Sequence, residues 1–295
     1  MPWLQLTLTL ERTQAPAAEL LFEGLGALSI TYADAEDQPL LEPAPGETPL
    51  WQLTRITALF EGDTDPEPLN QHLRTTLPES VMQTLEQETL DDQVWERVWL
   101  EDFHPMRFGR RLWICPDGQR PDDEEAVTVD LDPGLAFGTG THPTTALCLD
   151  WLDGADLRGK SVLDFGCGSG VLGIAAARLG AARVVALDHD PQAIEATRDN
   201  ADKNRVAHCI ETLPAGQSTE QQFDIVLANI LAGTLKELAP LIRERVAPGG
   251  QLLLSGVLSE QAEEVAAAYR SELQFEPAQE RDGWVLLHAC RHESS

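Results

Sequence analysis

A glycine-rich turn between an apolar segment and a helix is the clearest chemical signal in the sequence. The apolar segment Ser161–Phe165 contains Asp164, and a helix is predicted to begin near Val171. Three glycines lie between them at alternate positions: Gly166, Gly168 and Gly170. Glycines let the chain turn tightly and let a ligand approach the backbone, and the start of the helix adds partial positive charge. The pattern therefore predicts a ligand-binding turn.

A second acidic residue ends the next predicted strand, Arg183–Leu187. Asp188 stands 20 residues after Gly168, and at this spacing a carboxylate can accept hydrogen bonds from both hydroxyls of a ribose. Asp190 is predicted to cap the following helix, which Pro191 begins. The two acidic positions together favour a cofactor that contains a nucleoside.

Asp164 favours one cofactor over another. Gly168–Gly173 also fits the G-x-G-x-x-G pattern of dinucleotide-binding proteins. A pyrophosphate would disfavour a carboxylate at the end of this strand, whereas a cofactor with an α-amino group would favour it. S-adenosylmethionine has that amine and a ribose, and it has no phosphate. The residues therefore predict S-adenosylmethionine.

A second loop precedes a helix that is predicted to begin at Pro143. Thr144 and Thr145 follow that proline, and their hydroxyls and backbone N–H groups are suited to the carboxylate of the cofactor's methionine part. Phe137 is predicted to cover the cofactor or substrate, and its ring can face a methylated ammonium. His142 has two interpretations, a general base or a residue that caps or packs the helix.

Asn229 follows the predicted strand Asp224–Ala228, at the edge where open α/β sheets bind ligands. Its side-chain carbonyl can accept a hydrogen bond from an amine and direct the nitrogen lone pair at a sulfonium methyl group. The alternative is that Asn229 only holds its own loop. Ile230 and Leu231 follow it, in place of the Pro-Pro-aromatic run of many adenine and glutamine methyltransferases.

The elements that position these residues divide the chain into three parts. Residues 1–90 follow the order β-α-β-β-α-β, which is typical of a ferredoxin-like α+β domain that recognises a substrate. Residues 91–107 are predicted to form a connecting helix in which Trp95 and Trp99 share a face. Residues 108–295 alternate strands with helices, as in a parallel sheet covered on both sides, and Asp282-Gly283 predicts a closing hairpin.

In residues 1–90, the predicted strands are Trp3–Leu10, Ala27–Tyr32, Trp51–Phe60 and Val81–Glu88, and the predicted helices are Ala15–Leu25 and Glu67–Thr76.

Composition narrows the class of protein. The chain has 295 residues and a formal net charge of −28, which argues against nucleic acid as the main partner. No apolar run is long enough to cross a membrane, and the N-terminus lacks the pattern of a secretory signal. Five cysteines without a C-x-x-C pair indicate a reducing compartment and no metal site. We therefore expect a cytoplasmic protein, and a monomer.

Taken together, these motifs resemble the ribosomal protein L-eleven (L11) methyltransferase family. The glycine turn is common to many methyltransferases, whereas Phe137–Thr145 and Asn229–Ala232 are more specific to this family. The resemblance implies a class I methyltransferase fold with a seven-stranded, mostly parallel sheet. It also implies cofactor contacts from Thr145, Gly166, Asp188 and Asn229, and multiple methylation of the N-terminal α-amine and lysine side chains of ribosomal protein L11.

Three other functions remain open at this point. A small-molecule amine methyltransferase would not need residues 1–90. A nicotinamide oxidoreductase would use Gly168–Gly173 but would leave Asp164 without a role. A non-catalytic module would bind the cofactor without turnover.

Overall fold

The computed structural model describes residues 2–36, 50–90, 104–116, 119–131, 142–214 and 221–292. Its contacts divide the chain into two compact units, Met1–Val98 and Trp99–Ser295. Most of the predicted connecting helix, residues 91–103 with both tryptophans, lies outside the described residues. The predicted helix is wrong at its C-terminal end, because Met106–Phe108 is a strand that pairs with Leu112–Cys115.

The first unit is a four-stranded antiparallel sheet with helices. Its strands are β1 (Trp3–Glu11), β2 (Ser29–Asp34), β3 (Leu53–Glu61) and β4 (Glu86–Leu90), and its helices are α1 (Ala15–Gly24), α2 (Pro66–Thr76) and α3 (Glu79–Met82), with a short 3-10 helix at Arg12–Gln14. The strand order is β2-β3-β1-β4. This order of elements and strands is compatible with the ferredoxin-like prediction.

Alternating leucines decide which face of β1 packs against the helices of this unit. Leu4, Leu6, Leu8 and Leu10 are buried on one face, where they form a core with residues of the helices.

The predicted strand Val81–Glu88 begins too early. Val81 is buried in α3, and the Thr84 hydroxyl lies within hydrogen-bond distance of the carbonyls of both Val81 and Thr9. This side-chain bonding holds a turn after the helix. The strand therefore starts only at Glu86.

The second unit begins with a small three-stranded sheet. Its strands are β5 (Met106–Phe108), β6 (Leu112–Cys115) and β7 (Val127–Asp130). The β5–β6 pair is antiparallel and the β6–β7 pair is parallel.

The main sheet of the second unit has eight strands within the described residues. They are β8 (Ser161–Phe165), β9 (Arg183–Asp188), β10 (Ile210–Pro214), β11 (Phe223–Asn229), β12 (Val246–Leu258), β13 (Leu273–Phe275), β14 (Gln279–Arg281) and β15 (Trp284–Arg291). Seven follow the order β10-β9-β8-β11-β12-β15-β13, and β14 adds an eighth beside β15. The pairs from β10 to β12 are parallel, and those of β15 are antiparallel.

The family resemblance predicts a sheet of seven strands, mostly parallel. The described residues form seven strands in one continuous order and one more, β14, and the sheet is mixed because the pairs of β15 are antiparallel. The hairpin at Asp282-Gly283 is confirmed, and it supplies the extra strand, since β14 lies antiparallel to β15. Asp282 and Gly283 both have positive φ, 51° and 77°, as the two central residues of a type I′ hairpin turn require.

Helices cover the main sheet on both faces. They are α4 (Pro143–Gly154), α5 (Val171–Arg178), α6 (Pro191–Lys203), α7 (Ala232–Glu237), α8 (Ala239–Glu244) and α9 (Ala262–Ala267), with short 3-10 helices at Ala207–Cys209 and Ser259–Gln261. Successive residues of β8 and β11 alternate between two cores, one formed with α4 and α5 and the other with α7, α8 and α9. No described helix is both long and apolar enough to cross a membrane.

Candidate cofactor site

The glycine turn after β8 has backbone angles that other residues rarely adopt. Gly166, Gly168 and Gly170 have φ values of 78°, 54° and 78°. A Cβ added to Gly166 would lie 2.4 Å from Cγ2 of Ile230, and one added to Gly170 would lie 2.8 Å from Oγ1 of Thr197. The turn therefore needs glycine for its own packing as well as for the approach of a ligand.

Asp164 is buried under this turn, with an exposed fraction of 1 %. Its Oδ2 accepts a hydrogen bond of 2.9 Å from the backbone N–H of Gly173, in the first turn of α5. Burial raises the pKa of the carboxyl to about 7, and the nearby charge of Asp188 adds to the rise. Asp164 thus ties the end of β8 to the start of α5, a contact that the sequence did not indicate.

Asp188 holds the turn from the neighbouring strand β9. Its Oδ2 accepts a 2.9 Å hydrogen bond from the N–H of Gly168, and its Oδ1 accepts a 3.0 Å bond from the N–H of Asp190. Oδ1 also lies 3.3 Å from Nδ1 of His189, an exposed side chain that a ligand hydroxyl can displace, so each carboxylate oxygen can offer its second lone pair to a hydroxyl. Asp190 accepts a 2.9 Å bond from the N–H of Gln192, which confirms that it caps α6.

His142 is the N-cap residue of α4. Its Nδ1 lies 2.7 Å from the Thr144 hydroxyl and accepts a 3.4 Å hydrogen bond from the Thr144 N–H. The imidazole ring meets Trp284 edge-on, with the ring centroids 4.9 Å apart. Burial lowers the pKa of His142, which favours the neutral ring that capping requires. The capping interpretation of His142 is therefore confirmed.

The two remaining groups of the site, at the end of β11 and in the first turn of α4, are joined by a hydrogen bond. The Asn229 amide donates a 3.3 Å hydrogen bond from Nδ2 to Oγ1 of Thr145. Both threonines at the start of α4 are buried, and the Thr144 carbonyl accepts a 3.2 Å bond from the Ser255 hydroxyl. Donation by Nδ2 points the carbonyl oxygen of Asn229 away from Thr145, where it can accept from an incoming N–H. Phe137 lies outside the described residues.

Comparison with known proteins now decides the family. The family model for "Ribosomal protein L11 methyltransferase (PrmA)" matches residues 2–292. The chain belongs to the ribosomal protein L11 methyltransferase family.

Other members of the ribosomal protein L11 methyltransferase family match over almost the whole chain. A "Ribosomal protein L11 methyltransferase" from Methylococcus capsulatus is 54% identical over 290 residues, which cover 98% of this chain and 99% of the relative. One from Azotobacter vinelandii is 54% identical over 297 residues, covering 99% and 100%. These matches confirm the resemblance that the motifs indicate.

A solved structure supports the class I methyltransferase fold. The crystal structure of a ribosomal protein L11 methylase from Lactobacillus delbrueckii subsp. bulgaricus has a TM-score of 0.58 to this chain. Its sequence is 31% identical, and the match covers 65% of this chain and all of that one.

In this family member, Ile230 is a site residue that the sequence analysis missed. Besides the contact of its side chain with Gly166, its backbone oxygen would lie 2.3 Å from a Cβ on Gly256, a residue of β12 with φ of 83°. Ile230 is thus held between two glycines of positive φ, and it fixes the chain just after Asn229. A glycine within the apolar segment Leu252–Leu258 was the available signal, because such a glycine marks a bulge or a close backbone approach.

Proposed function

We propose that the chain transfers methyl groups from S-adenosylmethionine to amino groups of ribosomal protein L11. The observation that carries the proposal is the hydrogen bond between Asn229 and Thr145, which joins the end of β11 to the start of α4 beside the glycine turn. Membership of the ribosomal protein L11 methyltransferase family supplies the substrate.

The described residues fit S-adenosylmethionine. Asp188 has acceptor positions for the ribose hydroxyls, and the positive-φ turn of Gly166, Gly168 and Gly170 allows close approach to the backbone. Thr144 and Thr145 lie in the first turn of α4, where the Thr144 N–H donates to His142, and the Thr145 N–H and the positive end of the helix suit a carboxylate. Asp164 is assigned to the α-amino group, whose positive charge would favour the ionised carboxyl.

The reaction requires a neutral amine that is correctly oriented. S-adenosylmethionine supplies an activated methyl group when it is bound. Asn229 accepts a hydrogen bond from the attacking amine and directs its lone pair. A free lysine has a pKa of about 10.4, and an apolar site lowers that value by disfavouring the charged form. We assign the released proton to water, since His142 is engaged in capping α4.

The finer parts of the proposal follow the family resemblance. The methylated groups are the N-terminal α-amine and lysine side chains, and Phe137 faces the growing ammonium. The domain of residues 1–90 recognises the substrate protein, and the domain of residues 108–295 performs the methyl transfer. The linker between them is residues 91–107. We propose that the enzyme acts as a monomer in the cytoplasm, with no direct binding of nucleic acid.

Intact-protein mass spectrometry of ribosomal protein L11 tests this function. After incubation with the enzyme and S-adenosylmethionine, we expect several added methyl groups, which peptide mapping would place on amines. Asn229→Ala should reduce kcat by about a hundredfold at saturating S-adenosylmethionine, because the amine loses the group that orients it. Unchanged mass together with tight cofactor binding would refute the substrate, and small amines would then be assayed as the alternative.

A further inference from the structure

Leu231 is an apolar residue that is exposed beside the candidate site. Its exposed fraction is 58 %, although Ala232 on one side is buried and Ile230 on the other is half-buried. Two other large apolar residues, Leu20 and Leu28, are exposed to a similar degree among the described residues, and both belong to the first unit. Leu231 stands two positions after Asn229, at the ligand-binding edge of the main sheet.

The backbone around Leu231 is fixed. Ile230 is held between Gly166 and Gly256, with no space for a side chain at either glycine. The Leu231 carbonyl accepts a 2.9 Å hydrogen bond from the N–H of Leu235, which anchors the start of α7. The exposed side chain is therefore presented from a rigid position, which favours binding because little conformational freedom is lost.

Local stability does not explain leucine at this position. Leu231 is the N-cap residue of α7, and its side chain makes no capping hydrogen bond. Serine, aspartate or asparagine would accept a hydrogen bond there, and leucine is among the poorest N-cap residues. An exposed leucine at an N-cap is thus unfavourable for the folded chain on two counts.

We infer that Leu231 is a specificity-determining residue that contacts the aliphatic stem of the amine side chain being methylated. This inference rests on the proposed function and goes further by naming the residue that contacts the stem when the methylated amine belongs to a lysine side chain. The stem of lysine is a chain of methylene groups, which gains by contact with an apolar surface while the nitrogen reaches Asn229. We assign Leu231 to that stem because it follows Asn229 by two positions, is exposed, and stands on a fixed backbone.

Steady-state kinetics with Leu231→Ser and Leu231→Met test the inference. The serine variant should raise KM for ribosomal protein L11 about tenfold, with little change in kcat or in the Kd for S-adenosylmethionine. The same variant should melt at the wild-type temperature or above it, because serine caps α7. Methionine keeps an apolar side chain of similar volume, so that variant should retain the wild-type KM.

Each other result contradicts the inference in a distinct way. An unchanged KM in Leu231→Ser would show that the substrate does not contact this residue. A weakened Kd for S-adenosylmethionine would show that Leu231 supports the cofactor side of the site instead. Failure of the wild-type enzyme to methylate ribosomal protein L11 would overturn the proposed function itself, and the inference with it.

Discussion

His142 couples the start of α4 to pH. Its Nδ1 accepts the Thr144 N–H only when the ring is neutral, and burial lowers its pKa from the ordinary value of 6.5. The stabilisation from this cap is therefore complete above pH 6.5 and is lost as pH falls through the lowered pKa. Since Thr144 and Thr145 are proposed cofactor contacts, loss of the cap should also weaken cofactor binding.

We expect His142→Asn to remove this pH dependence, because asparagine caps a helix and does not titrate. The Kd for S-adenosylmethionine, measured by calorimetry from about pH 5 to about pH 8, should rise at low pH more steeply in the wild type than in the variant. A cap contributes about 1 kcal/mol, so the divergence should be about fivefold. Both proteins contain Asp164, so the effect of its titration on the Kd is the same in the wild type and in the variant. Parallel curves would show that the cap does not affect the cofactor site.

The titration of Asp164 makes the stability of the folded chain fall as pH rises, whereas that of His142 makes it fall as pH decreases. Its pKa in the folded chain is about 7, above the ordinary value of 3.8, so the folded state holds the proton more tightly. Stability should fall as pH rises from 3.8 towards 7, and the full penalty remains above that range. The penalty reflects the burial of a charged group that has no positive partner within the described part of the chain.

Asp164→Asn should therefore stabilise the cofactor-free protein at about pH 8 and should have little effect at about pH 4. Asparagine removes the charge and can still accept the hydrogen bond from Gly173. The Kd for S-adenosylmethionine should rise about tenfold or more, because its amino group loses an ionised partner. Melting temperatures measure the change in stability, and calorimetry measures the change in the Kd. An unaltered Kd would count against the assignment of Asp164 to the amino group.

At the scale of elements, the contact of Ile230 with two glycines fixes the turn after β8 relative to β11 and β12. Gly166 and Gly159 offer a matched pair, since their φ values are 78° and 74°. A Cβ on Gly166 would lie 2.4 Å from Ile230, whereas a Cβ on Gly159 would meet nothing within 4 Å. Alanine at Gly159 measures the backbone strain alone, and alanine at Gly166 adds the clash.

Gly159→Ala should cost about 1 kcal/mol of unfolding free energy and leave the Kd for S-adenosylmethionine unchanged. Gly166→Ala should cost about 3 kcal/mol and weaken cofactor binding, because either the turn or Ile230 must move. Urea titration and calorimetry on both variants give these values. Equal costs would mean that Ile230 adjusts freely and does not fix the turn.

The elements were predictable wherever a periodic pattern and a turn signal agreed. Ser161–Phe165 matches β8 because a short apolar run ends at glycines, and Pro191 correctly starts α6 because proline fits a first helical turn. The predictions for Val81 and Met106 are wrong because tertiary contacts decided them: the Thr84 hydroxyl holds a turn, and β5 pairs with β6.

The sequence was sufficient to predict most of the residues of the candidate site, but it predicted few of the contacts between them. The sequence indicates Asn229 and Thr145 separately, and only the folded sheet shows the hydrogen bond between them. The contact of Ile230 with Gly166 was not accessible either, because residues distant in sequence become neighbours through strand order, and spacing along the chain does not encode that order.

For the molecule as a whole, net charge gives a prediction about substrate binding. The formal charge is −28, and residues 1–90 contain 15 acidic side chains against three arginines. Glu86 and Glu88 are exposed on β4, an edge strand of the first unit. If this unit binds a basic protein, charge attraction contributes to KM and is screened by salt within about 10 Å at 0.1 M ionic strength.

We expect KM for ribosomal protein L11 to rise about tenfold between about 0.05 M and about 0.5 M salt, while the Kd for S-adenosylmethionine changes little. The double variant Glu86→Gln/Glu88→Gln should raise KM at low salt and flatten this dependence. The control Glu195→Gln/Asp199→Asn removes the same charge from exposed positions on α6, in the second unit, and should keep the wild-type slope. If both double variants changed the KM equally, the attraction would depend on the total charge of the protein and not on the charge of β4. A KM that does not depend on salt would show that the acidic surface serves another purpose than binding the substrate.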